Sequence, residues 1–264
     1  MKNYYTLITG ASQGFGKSMA LEFAKREMNL VLVSLPNSGL WELSDFIRKQ
    51  FNVEVLCLEL DLCMKDSCYI IQDFIEDNNL SIKYLVNNAG ILSRGFFDEM
   101  DDSFIIKQIE VNVLAPTLLT KLLLDNLKKS SPSAILNISS LAAFFPLQKK
   151  QVYCGTKSYL LSFSKSLRKE LKKDNISVTA ICPGGLNTTT RLCYQNRIVG
   201  WITRESVLNP EAAAKIAIDG MMHKKMVIVP GFVNKCFMLL DKLLPEFFKD
   251  ILANREIKKF PAAT

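Results

Sequence analysis

Short β-branched or leucine-rich runs at 5–8, 30–33, 53–56, 82–86, 134–138, 176–181 and 226–229 punctuate this 264-residue chain. Most of the stretches between them are long enough for a crossover helix, as at 16–28 and 40–51. Parallel strands need such crossovers, and right-handed ones place helices on both faces of the sheet. The rhythm therefore predicts an α/β fold: a doubly wound, mostly parallel, seven-stranded sheet covered on both faces. No fixed sequence period and no Gly/Ser/Pro-rich linker divides the chain, so 1–264 reads as a single domain. Two regions break the rhythm, a long connection at about 183–210 and an apolar tail at about 231–264. Long connections in compact domains are usually binding loops or lids.

Composition removes several classes. With 48% hydrophobic and 22% charged residues the chain has ample core and is not disordered. Its net charge of +7 is spread over short lysine and arginine groups that suit solvated helix faces, so no nucleic-acid partner is expected. Seven scattered cysteines without a CxxC pair and one histidine, His223, disfavour a disulfide framework and any metal site. The N-terminus enters an apolar strand with no visible signal peptide, and no apolar run approaches the roughly 18 residues that span a bilayer. A reducing cytoplasm is the expected location.

Straight after the first run stands Thr9-Gly10-Ala11-Ser12-Gln13-Gly14-Phe15-Gly16, followed by an apolar helical pattern. Glycines there allow a sharp turn and close approach to a pyrophosphate, which the free N–H groups and helix dipole attract. The same string also fits a tight strand-to-helix turn needing glycine only for its backbone. Asn87-Asn88-Ala89-Gly90 and Asp61-Leu62 follow the fourth and third runs, at the strand ends where such sheets bind ligands. The usual dinucleotide fingerprint has an acid at the end of the second strand to bind the ribose 2′-hydroxyl. Here Ser34-Leu35-Pro36-Asn37-Ser38 carries no carboxylate, which favours NADP(H) over NAD(H), although no arginine stands ready for a 2′-phosphate.

The fifth run ends in Ser139-Ser140, and a helical pattern beyond it contains Tyr153 and Lys157, four residues apart and so on one face. An ammonium beside a phenol favours the phenolate and lowers its pKa towards the working pH of a general acid/base. By itself such a pair is common on surface helices. The ordered set of glycine turn, NNAG, Ser140, Tyr153/Lys157 and Pro183-Gly184 is far more specific.

That set, over residues 5 to about 230, resembles the short-chain dehydrogenase/reductase family in its single-domain form. The resemblance implies Rossmann-type NAD(P)(H) binding and hydride transfer between nicotinamide and a carbonyl or alcohol carbon. It implies that Ser140 polarises the substrate oxygen, that Tyr153 donates or accepts its proton, and that Lys157 tunes Tyr153 and binds the nicotinamide ribose. Asn112 would support a proton-relay water. Gly10, Ser12, Gln13, Gly14, Phe15 and Gly16 would line the cofactor, with Ser34 at its ribose end and Asp61 and Leu62 at the adenine. Asn88, Ala89 and Gly90 would wall its middle, with Thr188 at the carboxamide and Pro183 and Gly184 also binding the cofactor. The departures are Phe15 in place of an aliphatic residue and Gly155 where alanine is commoner. Family habit implies a homodimer or homotetramer.

Leu92, Phe96, Phe97, Phe144, Phe145, Leu147, Leu192, Val199 and Trp201 are the residues expected to face the substrate, which suits a hydrophobic ketone, fatty-acyl (3-oxoacyl) or steroid-like. The tail, apolar at helical spacing with interspersed lysines, fits packing on the core, a subunit contact, or peripheral contact with a membrane. A non-catalytic NAD(P)-binding sensor is the alternative reading, since fold does not fix function. An epimerase would need a different glycine spacing and a larger substrate domain. A hydrolase would need a GxSxG elbow.

Overall fold

The computed structural model describes residues 3–93, 95–188 and 206–243. Leu192, Val199 and Trp201, and the tail beyond 243, lie outside the described residues. Seven parallel strands form one sheet in the order β3-β2-β1-β4-β5-β6-β7. They are β1 (Tyr4–Thr9), β2 (Asn29–Ser34), β3 (Val55–Glu59), β4 (Ser81–Asn87), β5 (Ser133–Ile138), β6 (Ile176–Ile181) and β7 (Val227–Ile228). The third begins two residues later than the apolar pattern predicts, because the Val53 amide turns back to the Phe51 carbonyl before pairing starts.

Helices cover both faces. α1 (Gly14–Ala24), α2 (Leu40–Gln50) and α8 (Pro210–Met222) enclose one core, in which Phe23, Leu40, Ile47 and Ala217 meet Ile8 and Leu32 of the sheet. α3 (Ser67–Asp77), α5 (Ala115–Leu122) and α6 (Leu124–Lys129) enclose the other, where Ile71, Leu119 and Leu127 meet Leu7, Val31 and Leu85. Ile8 goes to one core and Leu7 to the other because alternate side chains of a strand point to opposite faces. α2 shows why such segments become helices: Leu40, Leu43 and Ile47 recur on one face and are buried, while Arg48 and Lys49 sit in the last turn, where the dipole favours cations.

The remaining helices serve the site. α4 (Asp102–Ile109) is capped by the Asp101 carboxylate accepting from the Ser103 amide, then widens into a π-helical turn at Glu110–Leu114 that leads into α5. α7 (Gln151–Glu170) is 20 residues long and buries Cys154, Lys157, Leu160, Leu161 and Ser164 against the sheet. α9 (Phe232–Leu243) follows β7. The chain leaves β1 towards β2 on one side and β4 adjoins β1 on the other, so the order of connection reverses between β1 and β4. In open α/β sheets the crevice outside that point is where ligands bind.

Candidate active site

The glycine turn closes over this crevice. Gly10 and Gly14 have φ of +64° and +54°, the left-handed region that favours glycine. A Cβ on Gly16 would lie 2.0 Å from the Gly10 carbonyl oxygen, so the turn demands glycine there by contact alone. Thr9, which the sequence reading passed over, holds the turn to the end of β4: its Oγ1 accepts from the Asn88 and Ala89 amides, each at 3.1 Å. Asn88 Nδ2 donates in return to the Thr9 and Gly10 carbonyls at 2.9 and 3.0 Å. Asn88 and Ala89 thus stand against Gly10.

Gln13 precedes α1 in extended conformation with no side-chain cap, and the first turn contains no acidic residue. Its opening N–H groups therefore lack the side-chain acceptor a cap would provide, which suits an anion. Phe15 is buried in the first core, with its side chain among apolar neighbours. Thr188 lies across the turn, since a Cβ on Gly14 would come within 3.2 Å of the Thr188 Cβ. Ser12 and Ser34 hydroxyls meet at 2.7 Å, both buried, joining the turn to the end of β2. Asp61 Oδ1 accepts from the Cys63 amide at 2.9 Å, with Leu62 packed on the second core. The structure also brings a carboxylate that the sequence did not show at the end of β2. Glu59, from β3, accepts from the Asn37 amide at 3.0 Å, because parallel pairing sets Glu59 beside Ser34.

The chemical groups gather from three elements: the end of β5, α7 and the π turn. Ser140, just past β5, caps the short turn Leu141–Ala143 by accepting from the Ala142 amide at 3.1 Å, and it neighbours the phenol of Tyr153 on α7. Lys157, one turn further along α7, is buried and donates to the Ile138 carbonyl at 2.9 Å, its Nζ 5.7 Å from the centre of the Tyr153 ring. Ser139 clamps the same turn by donating to the Lys157 carbonyl at 2.7 Å. Asn112 sits in the π turn, a feature often found at functional sites. Its Oδ1 accepts from the Ile91 amide at 2.8 Å, and its Nδ2 donates to the Ile91 carbonyl and to Thr156 Oγ1. Gly90 faces both ends of this constellation: a Cβ there would lie 3.2 Å from Lys157 Nζ and 3.3 Å from Asn112 Oδ1.

Burial sets the charges. The Lys157 ammonium is pulled down to about 8 by desolvation. Tyr153 is raised above its ordinary value, chiefly by burial, with the Ser140 hydrogen bond acting in the opposite direction. This direction runs against the expectation that Lys157 lowers the phenol. The ammonium is directed at a backbone carbonyl, and desolvation of the phenolate outweighs its neighbourhood.

Three of the residues expected to face the substrate share one cleft. Phe144, Phe145 and Leu147 line a cleft of about 640 Å³ together with Gln151, Cys154, Gly155 and Ser158 of α7. Ser140, Tyr153 and Lys157 do not line it, because Cys154 and Ser158 lie about 100° round the helix from Tyr153 and Lys157. Leu92, Phe96 and Phe97 are exposed on the segment after β4, which is tied to the approach to α7 by the Gly95 amide donating to the Lys149 carbonyl at 3.1 Å.

The sheet order, the glycine turn in its first crossover and the crevice above it define an α/β protein of the Rossmann type. A family model described as short chain dehydrogenase matches residues 5–196, and the chain belongs to that family of oxidoreductases. It is 35% identical over 185 residues to the very-long-chain 3-oxoacyl-CoA reductase of Macaca fascicularis, covering 68% of this chain and 58% of that relative's length. It is 29% identical to estradiol 17-beta-dehydrogenase 11 of Rattus norvegicus, over 97% of this chain and 85% of the relative. Among solved structures, the bulky-bulky ketone specific alcohol dehydrogenase from Comamonas testosteroni superimposes with a TM-score of 0.78 at 26% identity, covering 98% and 96% of the two chains. A short-chain dehydrogenase from Sphingobium yanoikuyae in complex with NADPH gives 0.79 at 26% identity, over 98% and 97%.

Proposed function

We propose that this chain is a nicotinamide-dependent oxidoreductase interconverting a hydrophobic ketone or 3-oxoacyl compound and its secondary alcohol. The observation that carries the reading is the convergence of Ser140, Tyr153, Lys157 and Asn112 from β5, α7 and the π turn beside the glycine-lined crevice. The residues present fit a dinucleotide: positive-φ glycines at 10 and 14, an uncapped helix start at Gln13, and Gly90 leaving open the space before Lys157. When bound, the nicotinamide supplies or accepts the hydride.

The chain's own groups handle the proton. Ser140 donates a hydrogen bond to the substrate oxygen, and Tyr153, protonated at neutral pH because burial raises it, passes its proton to that oxygen as C=O becomes CH–OH. In alcohol oxidation the same atoms run in reverse. Lys157 holds a ribose hydroxyl, Asn112 supports the water that replaces the lost proton, and Pro183, Gly184 and Thr188 border the carboxamide. Ser34 in place of an acid favours NADP(H). Glu59 on Asn37 acts against it, so the two coenzymes are to be compared directly. Exposed Leu92, Phe96 and Phe97 support an apolar substrate, as do relatives named for very-long-chain 3-oxoacyl-CoA, for estradiol and for bulky ketones.

The test is a carbonyl and alcohol screen with both coenzymes, following absorbance of the reduced nicotinamide, on the wild type and on Tyr153→Phe. Turnover is expected to fall by about 10²–10⁴-fold in the variant, with cofactor binding nearly unchanged. A variant that keeps its rate excludes the acid/base role. Cofactor binding with no turnover of any substrate by the wild type returns the sensor reading.

A further inference from the structure

Asn234, in the first turn of α9, is fully buried, and nothing in the sequence marks it out. Its Nδ2 donates to the Pro230 carbonyl at 2.8 Å and to the Ser206 carbonyl at 2.9 Å, while its Oδ1 has no partner among the described residues. The amide is wedged between two glycines. A Cβ on Gly184 would lie 2.7 Å from Asn234 Oδ1 and 2.8 Å from Nδ2, and one on Gly231, whose φ is +88°, would lie 3.1 Å from Nδ2. Such an approach is open only to residues without a side chain. An apolar residue of the same size would leave the Ser206 and Pro230 carbonyls without these donors, which is unfavourable where they are shielded from water.

What the wedge touches gives it consequence. Gly184 and Ser206 belong to the two ends of the long connection between β6 and α8, and these ends are zipped together. The Leu208 amide donates to the Gly185 carbonyl at 3.0 Å and the Asn187 amide to the Leu208 carbonyl at 3.1 Å, with Leu186 bridged to Leu208. Asn187 Nδ2 adds a bond to Asn209 Oδ1 at 3.3 Å. One residue further, Thr188 rests on Gly14 of the glycine turn. A continuous line of contacts therefore runs from the tail helix through Gly184 and the zipped neck to the glycine turn.

We propose that Asn234 is a positioning residue for the nucleotide site: from the tail helix it latches both ends of the neck and sets where residues 183–188 stand against the glycine turn. The inference rests on the nicotinamide reading above. It assigns the start of the tail a role in ligand affinity, beyond packing, oligomer contact or lipid contact.

The experiment compares the full chain with Asn234→Leu, which keeps the branched side-chain skeleton with somewhat more bulk and removes the donors. Asn234→Ala, which removes the same bonds with less bulk, serves if the leucine variant does not fold. Two quantities are read: hydrogen exchange at the Asn187, Thr188 and Leu208 amides without ligand, and the Kd for NADPH and NADH by fluorescence. Exchange at the neck is expected to quicken at least tenfold while β1, β4 and β5 amides keep their protection, and the Kd for the better coenzyme to rise at least fivefold. Unchanged neck exchange, unchanged Kd, or equal loss of protection throughout the sheet each overturns the proposal, the last by making Asn234 a general stability residue. Failure of the wild type to bind either coenzyme refutes the nicotinamide reading instead, and the exchange data then report on the latch alone.

Discussion

Lys157 shows what a single residue's surroundings add to its spacing. The four-residue separation from Tyr153 is plain in the sequence, but its charge state is set by burial under the end of β5. With its pKa lowered to about 8, Lys157 loses its ammonium within an accessible pH range, whereas Tyr153, raised above its ordinary value, stays protonated. The kcat/KM of carbonyl reduction is therefore expected to fall with a single ionisation near pH 8, as the proposed charged hold on the ribose is lost. A pH–rate profile that stays flat to pH 10 would count against this assignment. Stability carries the opposite sign. Between about 8 and the ordinary 10.5 the unfolded chain binds more protons than the folded one, so stability gains from this group as pH rises through that window. Lys157→Met should abolish that gain, as measured by urea unfolding at pH 7.5 and 10.

At the scale of elements, α7 carries the Tyr153/Lys157 pair and also lines the cleft beside Phe144. Gly155 lies on its exposed face, and a Cβ there would meet nothing within 4 Å. Gly155→Ala is thus expected to stabilise the isolated protein by about 0.5–1 kcal/mol, by removing freedom from the unfolded chain and restoring helix propensity. Thermal unfolding should show a rise of roughly 2–4 °C per kcal/mol. No rise would mean that the glycine meets a neighbour there. The helix itself was legible from its pattern, as were the glycine turn and the strand ends at Asn88 and Ser140. The π turn around Asn112 was not, because one extra residue in a helical turn leaves the apolar periodicity almost untouched. The placing of Phe144, Phe145 and Leu147 was also hidden, since a loop has no period from which to read a facing direction.

Across the whole molecule, a buried polar chain ties the sheet to the helices that carry the site. Asn87 Nδ2 donates to Thr120 Oγ1 at 3.1 Å and to Asn137 Oδ1 at 2.8 Å, and Asn137 Nδ2 donates to Ser164 Oγ at 2.9 Å. It joins α5, β4, β5 and α7. Asn137→Leu should cost about 1–3 kcal/mol by leaving buried partners short of bonds, seen as a lower urea midpoint with an unchanged slope. An unaltered midpoint would show that the chain contributes nothing net.

The sequence alone determined the α/β alternation, the glycine turn and the Tyr153/Lys157 pair, because each is a local pattern: a period, a backbone requirement, a spacing along one helix. Tertiary structure alone decided the upward pull on Tyr153, the arrival of Glu59 beside Asn37, and the seating of Asn234 between Gly184 and Gly231. Those depend on which distant segments share a burial site. Desolvation and contact act across space, between residues that the order of the chain keeps far apart.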